Sequence, residues 1–321
     1  MASRSLTVGA RRSAGTDPLA PSSENPRRRR RFSLRSRRTL SGYLFCAPSI
    51  LVFGTFMLYP IFQGVRVSLY KYNPFSSTYI GLQNYRDLTQ DPRFWNALRN
   101  TLMYAFIVTV VMVTLALLLA MLLNSSIAFR AFSRSVLFMP FVLSMAVVAI
   151  CFTFLLDPDI GWLSYVLTRL GMPPIAYLRD PFWAMIAVMV VGVWKGVGYF
   201  MVIFIAGLQQ IPKELYEAAE VDGANPIQRF WRVTLPLLSN TTMIVSVLAL
   251  IGGFQVFDQI YVMTGGGPYF STESLVALIY FRGFGELKMG YSSAIAVIFT
   301  AIILVFSFAQ IRFFNRRVVE F

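Results

Sequence analysis

The amino-acid sequence predicts an all-α membrane protein with six transmembrane helices. Of its 321 residues, 56% are hydrophobic and only 14% are charged. The mean hydropathy of +0.60 is too high for an ordinary water-soluble domain. The apolar residues also form continuous runs rather than an alternating pattern. Because only helices and closed barrels satisfy their backbone groups in lipid, continuous runs of about 20 residues indicate helices.

Six apolar runs are each long enough to cross a membrane once. They cover residues 42–69, 98–123, 136–156, 182–208, 235–263 and 291–314. An Arg-rich stretch without apolar periodicity, residues 1–40, precedes the first run and predicts a disordered basic tail. Residues 41–321 are then predicted to form one membrane domain.

The distribution of positive charge predicts how this domain is oriented. An even number of spans places both termini on the same side, and that side would carry most of the 29 Lys and Arg residues. Positively charged segments are enriched on the cytoplasmic side, so both termini are predicted to be cytoplasmic. The basic tail could bind nucleic acid, but orientation of the first span and contact with anionic membrane lipids are the favoured interpretation. No nucleic-acid partner is therefore expected.

The sequence offers little chemistry to an enzyme. It contains no histidine, and so lacks the commonest general base and the commonest metal ligand. Cys46 and Cys151 both lie within apolar runs, where cysteine acts as a small hydrophobic residue. The glycines at 265–267 are not followed by the Lys and Ser or Thr of a phosphate-binding loop. No catalytic residue, metal site or cofactor is predicted on this chain.

The segment 211–238, between the fourth and fifth runs, is too polar to cross the membrane but contains clear helix signals. Pro212 suits a first helical position, and Gly223 suits the left-handed residue that follows a helix. Asn225 and Pro226 suit the cap and the first position of a second helix. The segment is predicted to form two short helices with apolar side chains on a cytoplasmic loop. Such a loop either docks on another protein or lies on the membrane surface.

This segment resembles the EAA loop in the permease subunits of binding-protein-dependent ABC importers. That loop combines Glu-Ala-Ala, a glycine four residues on and a distal Leu-Pro, and the matching residues here are Glu217, Ala218, Ala219, Asp222, Gly223, Arg229, Leu235 and Pro236. The resemblance covers nearly all of the chain after the tail. The stretches APS, GLQNY, DPDIG and FDQIYVMTGGGP fit the carbohydrate and glycerol-phosphate branch, which is related to the maltose permease.

The resemblance implies a type I ABC importer permease fold in a prokaryotic inner membrane, crossed several times. It implies that the eight residues of the loop couple this chain to an ATPase subunit. The implied partners are a second homologous permease subunit, two ATPase subunits, an extracytoplasmic substrate-binding protein and membrane lipids. ATP and Mg²⁺ would be bound by the ATPase subunits and not by this chain.

Two ionisable residues inside predicted spans, Lys195 and Asp258, indicate where a substrate could pass, because a charge facing lipid costs about 2.5 to 3.5 kcal/mol. Aromatic and amide neighbours suit a sugar, which needs both stacking faces and hydrogen-bonding groups. The predicted pathway residues are Trp194, Lys195, Tyr199, Phe254, Gln255, Asp258 and Tyr261. The alternative is that Lys195 and Asp258 form a structural salt bridge, or contact a partner subunit. Lys195 would also suit a phosphate group, so glycerol phosphate and glycerophosphodiesters are candidates beside sugars.

An ion-coupled secondary transporter is the main alternative of another class. In that case Asp258 would bind a proton or a sodium ion, and transport would need no ATP. The sequence has no obvious inverted repeat, and this alternative leaves the segment 211–238 without a purpose. We therefore predict the permease subunit of an ATP-driven importer for a sugar or a glycerol-phosphate-type solute.

Overall fold

A computed structural model describes residues 34–124 and 129–315, and the side chains of residues 42–124 and 129–314. These residues fall into two units, with the boundary between Met57 and Leu58. Most of the predicted basic tail, residues 1–33, lies outside the described residues, so the tail stays a prediction. Helix α1, Leu34–Phe53, begins inside the segment 1–40 and not after it. Leu and Arg are good helix formers, which explains why the helix backbone extends back into the basic stretch.

The first elements form the first candidate span. Helix α1 is followed by a π-helical segment, Gly54–Leu58, and by α2, Tyr59–Val67. The apolar part of this stretch, Gly42–Val67, is long enough to cross a membrane. Its bounds agree closely with the predicted run 42–69.

The remaining elements are mainly helical. A short antiparallel hairpin of β1, Tyr70–Asn73, and β2, Ser76–Tyr79, pairs Tyr70 with Tyr79. The following helices, in chain order, are α3 (Gln83–Gln90), α4 (Pro92–Asn124), α5 (Arg130–Val142), α6 (Met145–Leu155), α7 (Trp162–Arg169), α8 (Pro181–Gln209), α9 (Lys213–Val221), α10 (Pro226–Arg229), α11 (Leu235–Leu237), α12 (Ser239–Phe254), α13 (Asp258–Met263), α14 (Leu275–Tyr280) and α15 (Met289–Asn315). π-helical segments, Phe230–Thr234 and Phe281–Gly285, follow α10 and α14. The hairpin departs from a purely α-helical chain but leaves the predicted class unchanged.

The described residues contain five candidate spans, and a sixth when the bent pair α5 and α6 is counted as one. The two helices of this pair meet at 97°. Leu143 and Ser144 between them have extended backbone, with ψ angles of 148° and 134°. Pro140 weakens the last turn of α5 because proline has no backbone N–H to donate. By length and composition the described residues therefore hold five or six spans, in agreement with the predicted six. The third is bent, and the fifth is interrupted between α12 and α13.

The second unit is built around helix α4, which packs against both α8 and α12. Apolar side chains of these helices form the larger core, which includes Val108, Met112, Val188, Met201 and Phe204. A smaller core joins α4 and α12 to α14 and α15, and includes Phe94, Leu250, Phe254, Leu278 and Ile295. Since lipid is as apolar as these side chains, close van der Waals packing rather than hydrophobic burial holds such helices together.

Two adjacent glycines show how closely α12 approaches α4. A Cβ atom on Gly253 would lie 2.9 Å from the Cα of Ala105, whereas a Cβ on Gly252 would meet no atom within 4 Å. Small residues at a crossing point allow two membrane helices to approach in this way. Gly253 therefore belongs to the helix contact, and Gly252 does not.

We expect Gly253→Ala to destabilise the protein by about 1 to 3 kcal/mol, because the added methyl group must push two backbones apart. Gly252→Ala is the matched control, and we expect it to leave stability unchanged or to raise it by about 0.5 to 1 kcal/mol, since alanine is the better helix former. The free energy of unfolding of both variants can be measured in mixed detergent micelles. Equal losses at the two positions would contradict this assignment of the helix contact.

Helix α14 and the π-helical segment after it were not predicted from the sequence. Together they form a short apolar helix, Leu275–Gly285, in which Leu275, Ala277 and Leu278 are fully buried. This helix packs against α4 and α15. Its apolar stretch is too short to stand out as a span in a hydropathy pattern.

Candidate functional site

The segment 211–238 forms the predicted pair of short helices. Helix α9 ends at Val221, and Gly223 then adopts a left-handed backbone with φ of +78°. The side chain of Asn225 accepts a hydrogen bond from the backbone N–H of Gln228, and the Gln228 side chain accepts one from the N–H of Asn225. This reciprocal capping starts α10 at Pro226, as predicted. Pro212 was assigned one position too far inside its helix, because α9 begins at Lys213.

The second arm of this loop continues through the π-helical segment and α11 to the start of α12. Side-chain contacts join it to α9. Arg229 forms an ion pair with Glu220 at 3.3 Å, and the hydroxyl groups of Tyr216 and Thr234 share a hydrogen bond of 3.1 Å. The two arms are therefore joined by one contact close to the turn, between Glu220 and Arg229, and by a second contact farther from it, between Tyr216 and Thr234.

The outer face of the loop is accessible. Among the residues that match the EAA pattern, Glu217, Ala218, Asp222, Gly223 and Pro236 are exposed, and Ala219, Arg229 and Leu235 are half-buried. Large apolar side chains stand beside them, with exposures of 88% for Val221, 70% for Ile227 and 62% for Trp231. Exposed apolar groups clustered on a loop with exposed acidic residues are typical of a protein-binding surface.

A cavity of about 240 Å³ lies among helices α4, α5, α6, α8, α12 and α13. Residues 255–257, where the backbone between α12 and α13 is not helical, form part of its wall. Three of the predicted pathway residues, Lys195, Gln255 and Asp258, line this cavity together with the aromatic side chains of Phe141 and Phe257. Gln259, Tyr104 and Phe200 also line it, so the structure brings one cation, one anion, two amides and four aromatic rings to a single cavity.

Lys195 makes its described contacts with Phe141, close to the bend of the third span. Its Nζ atom donates a hydrogen bond of 3.1 Å to the Phe141 carbonyl oxygen and lies 5.3 Å from the centre of the Phe141 ring. That carbonyl is in the last turn of α5, where helix carbonyls have no partner within the helix and carry partial negative charge. The ion pairs within 4 Å among the described residues do not include Lys195 with Asp258. The alternative of a direct salt bridge between these two side chains is therefore not seen among the described residues.

Phe254, another of the predicted pathway residues, does not line this cavity. Its side chain is fully buried in the smaller core, where its ring lies 5.6 Å from that of Phe306 and 6.4 Å from that of Phe299. Phe254 is the last residue of α12 and packs against α15, whereas Gln255 belongs to the non-helical stretch that lines the cavity.

The other three predicted aromatic residues lie outside the cavity wall. Tyr199 stacks on Phe141 with ring centres 4.5 Å apart, and Tyr261 stacks on Phe257 at 5.4 Å. Tyr199 and Tyr261 therefore each pack against an aromatic ring that lines the cavity, without lining it themselves. Trp194 is 41% exposed, and its ring meets that of Phe152 edge-on at 5.3 Å.

One polar contact at the cavity was missed by the sequence analysis. The buried side-chain amide of Gln259 donates hydrogen bonds to the hydroxyl group of Tyr104 and, at 3.3 Å, to the carbonyl oxygen of Val188. A buried polar group inside a membrane must find such partners, and these join α13 to α4 and α8. A tyrosine in the second apolar run is the signal that could have indicated this position.

A buried ion pair anchors the N-terminal end of α4. The side chain of Glu273 has no exposed surface, and Arg93 donates to its two oxygens at 2.8 and 2.6 Å. The guanidinium group of Arg93 also lies 4.2 Å from the centre of the Phe270 ring. This contact connects the start of α4 to the segment that leads into α14.

A second set of charges adjoins this pair. Asp91 accepts hydrogen bonds from Arg282 at 2.9 Å and from Tyr291 at 2.8 Å, and Arg282 also contacts Glu286 at 2.8 Å. Burial acts to raise the pKa of Asp91, but the hydrogen bonds from Tyr291 and the backbone of Arg93, with the charge of Arg282, outweigh it and lower the pKa. Asp91 is therefore held in its charged form. None of these partners could be paired from the sequence.

Comparison with known proteins gives consistent matches. Residues 112–320 match the model of the family described as binding-protein-dependent transport system inner membrane component. The chain is 36% identical to the arabinooligosaccharides transport system permease protein AraP of Bacillus subtilis, over 84% of this chain and 87% of that protein. It is also 36% identical to the sn-glycerol-3-phosphate transport system permease protein UgpA of Agrobacterium fabrum, over 86% of this chain and 95% of that protein.

A solved structure supports the fold. It is that of a bacterial ABC transporter involved in the import of the acidic polysaccharide alginate, and one of its chains matches with a TM-score of 0.78. The match covers 87% of this chain and 96% of the other, at 24% sequence identity. The two chains therefore share the arrangement of their helices.

Proposed function

Because this chain belongs to the family of binding-protein-dependent transport system inner membrane components, we propose that its cavity forms part of the path of a sugar or glycerol-phosphate-type solute. The chain is a multi-pass permease subunit of an ATP-driven importer in the inner membrane. It is not an enzyme, since ATP hydrolysis in this family is carried out by a separate subunit. Membership also excludes the alternative of an ion-coupled secondary transporter.

The observation that carries the proposal is the convergence of Lys195, Gln255 and Asp258 on one cavity with aromatic walls. Aromatic rings stack on the apolar faces of a sugar, and the amide and the charged groups hydrogen-bond its hydroxyls. The relatives named above, permease proteins of arabinooligosaccharide and glycerol-3-phosphate transport systems, support this class of solute. A phosphate group in the cavity would be attracted by the Lys195 ammonium group but repelled by the carboxylate of Asp258.

The remaining partners are part of the proposal. Importers of this family work with a substrate-binding protein. We assign to this chain a second homologous permease subunit that completes the path, and two ATPase subunits that bind ATP and Mg²⁺. The loop of residues 211–238 would dock on an ATPase subunit, with this loop and both termini cytoplasmic. The exposed side chains of Val221, Ile227 and Trp231 beside Glu217 support this placement.

Transport then requires two arrangements of the spans, with the cavity open to one side in each. ATP binding and delivery of the solute must both favour the same arrangement, because a ligand shifts an equilibrium only through its different affinity for the two states. The loop is the part of this chain through which the ATPase subunits would act on the spans.

Affinity purification tests the proposed function directly. The tagged chain would be purified in mild detergent from its native membrane, and its companions identified by mass spectrometry. We expect an ATPase subunit with a phosphate-binding loop and a second permease subunit. Recovery of the chain alone, moving solute in vesicles without ATP, would overturn the proposal.

Substitution of Lys195 distinguishes two possible roles of this residue, stabilising the bend in the third span and binding the solute. Lys195→Met removes the hydrogen bond to the Phe141 carbonyl, and we expect it to reduce ATP-driven transport by about tenfold, the equivalent of one charged hydrogen bond. Lys195→Arg keeps a hydrogen-bond donor and a positive charge. It should retain most of the transport activity if the role of Lys195 is to bind the Phe141 carbonyl at the bend between α5 and α6. A loss in Lys195→Arg as large as in Lys195→Met, with an increased KM for the solute, would instead assign Lys195 to solute binding.

A further inference from the structure

The loop of residues 211–238 contains an inner face that its resemblance to other permeases does not explain. Tyr216 is half-buried and packs against the larger core, while Glu217 and Ala218, the next residues of α9, are exposed on the outer face. One helix of nine residues thus presents one side to the outside and one side chain to the membrane domain.

The partner of Tyr216 lies directly before the fifth span. Thr234 is 5% exposed, and its Oγ1 atom is 3.1 Å from the hydroxyl oxygen of Tyr216. Thr234 ends the π-helical segment, and its backbone carbonyl accepts a hydrogen bond of 2.9 Å from the N–H of Leu238. The Leu238 carbonyl in turn accepts one of 2.8 Å from Thr242, inside α12.

Helix α12 leads from this contact to the cavity. Its residues Leu248 and Gly252 line the cavity wall, and Gln255 and Asp258 follow at its end. A continuous series of hydrogen bonds therefore runs from the side chain of Tyr216 into the helix that carries the cavity wall. Since a hydrogen-bonded helix moves as a stiff element, displacement of α9 would be passed to that wall.

We propose that Tyr216 and Thr234 are a positioning pair that transmits the movement of the docked loop to the fifth span. This rests on the proposed function, because it needs an ATPase subunit to move the loop. The outer face of α9 serves the docking, and the Tyr216–Thr234 hydrogen bond serves the transmission. The ion pair of Glu220 with Arg229 keeps the two arms of the loop together during the movement.

The test measures hydrolysis and movement in the same complex, without knowledge of the solute. The complex would be purified through a tag on this chain and placed in lipid nanodiscs. A reporter cysteine would be introduced as Gly252→Cys, where a side chain meets no atom within 4 Å, with Cys46→Ser and Cys151→Ser. The labelling rate of the reporter by a water-soluble maleimide would be compared without nucleotide and after trapping with ATP and vanadate. ATP hydrolysis would be measured in parallel.

We expect Tyr216→Phe and Thr234→Val to keep ATP hydrolysis while the change in labelling rate on trapping falls by about threefold to tenfold, which corresponds to one lost hydrogen bond. Thr234→Val also removes the 3.5 Å hydrogen bond from Thr234 Oγ1 to the Arg229 carbonyl oxygen, whereas Tyr216→Phe removes only the shared contact. The double variant should therefore be no worse than Thr234→Val alone. Each single change keeps the packing of the side chain and removes only its hydroxyl group or replaces that group by a methyl.

The chain offers matched controls for both changes. The hydroxyl of Thr242 is buried without a partner among the described residues, so Thr242→Val removes a hydroxyl from the nearby start of α12 without breaking a hydrogen bond. Tyr177→Phe removes a half-buried tyrosine hydroxyl elsewhere, on a ring that contacts Trp183. Both controls should leave hydrolysis and labelling unchanged.

Two results would overturn the positioning role. One is an unchanged labelling response in Tyr216→Phe and Thr234→Val, and the other is a loss of hydrolysis in proportion to the loss of response, which would show that the pair only supports docking or folding. Failure of the proposed function gives a different result. In that case the complex with native Tyr216 and Thr234 would contain no ATPase subunit, or its reporter would not respond to trapping.

Discussion

Replacement of Gly223 by proline is expected to abolish ATP-driven transport while the chain still inserts into the membrane. Gly223 has φ of +78°, and its backbone N–H donates a hydrogen bond of 3.0 Å to the Glu220 carbonyl. Proline fixes φ near −65° and has no N–H, so neither feature can form. A forced left-handed conformation alone costs about 1 to 3 kcal/mol. The turn between α9 and α10 would therefore be lost, and with it the fixed position of the docking face.

Two further variants make this prediction specific. Gly223→Asn should retain most of the transport, since asparagine tolerates the left-handed region better than other side chains. Glu217→Lys leaves the turn intact but reverses a charge on the exposed face, and we expect it to weaken association with the ATPase subunit. The measurements are solute uptake in vesicles, ATP hydrolysis and recovery of the ATPase subunit with the tagged chain. Full uptake by Gly223→Pro would show that this loop has no part in coupling.

The largest loss of stability is expected from Glu273→Gln. This substitution removes the charge that faces Arg93, and breaking a buried ion pair by removing one partner costs about 3 to 5 kcal/mol. The lower end of this range applies, because the Arg93 side chain keeps 23% of its surface exposed and also lies 3.6 Å from Glu286. The loss can be measured as a shift in detergent-induced unfolding, or as a lower yield of folded protein after purification.

An exposed ion pair provides the control. Asp159 and Arg179 are 3.4 Å apart, but their side chains are 73% and 66% exposed. Asp159→Asn should therefore change stability by no more than about 1 kcal/mol. Replacement of both buried partners, as Arg93→Met with Glu273→Met, should recover much of the stability lost in Glu273→Gln, since no unpaired charge then remains. Similar losses in Glu273→Gln and Asp159→Asn would contradict the importance of burial.

The parts of the structure that the sequence predicts are those governed by neighbouring residues. The turn between α9 and α10 follows from Gly223, Asn225 and Pro226, which act within a few positions of each other. The six apolar runs follow in the same way from local hydropathy, with the exception of the bend in the third. Pro140 was visible in the sequence, but a proline within a span does not reveal the size of a kink.

The parts that it does not predict depend on contacts between distant residues. Arg93 and Glu273 are separated by 180 positions, and Tyr104 and Gln259 by 155. The cost of burying a charge correctly indicated Lys195 and Asp258, which both line the cavity. It could not show that Phe254, one position before Gln255, turns into the core, because that depends on how α12 is rotated against α4.

The adjacent glycines of α12 differ in what surrounds them: one is needed for close packing against a neighbouring helix, and the other leaves space in the cavity. Both positions line the cavity, but position 253 is also in close contact with α4, whereas position 252 has open space around it. A side chain at position 252 is expected to reduce the volume of the cavity without disturbing the contact between α12 and α4. Substitution of this one residue is therefore expected to change the size of the solute that the cavity admits, while the packing of the helices stays the same.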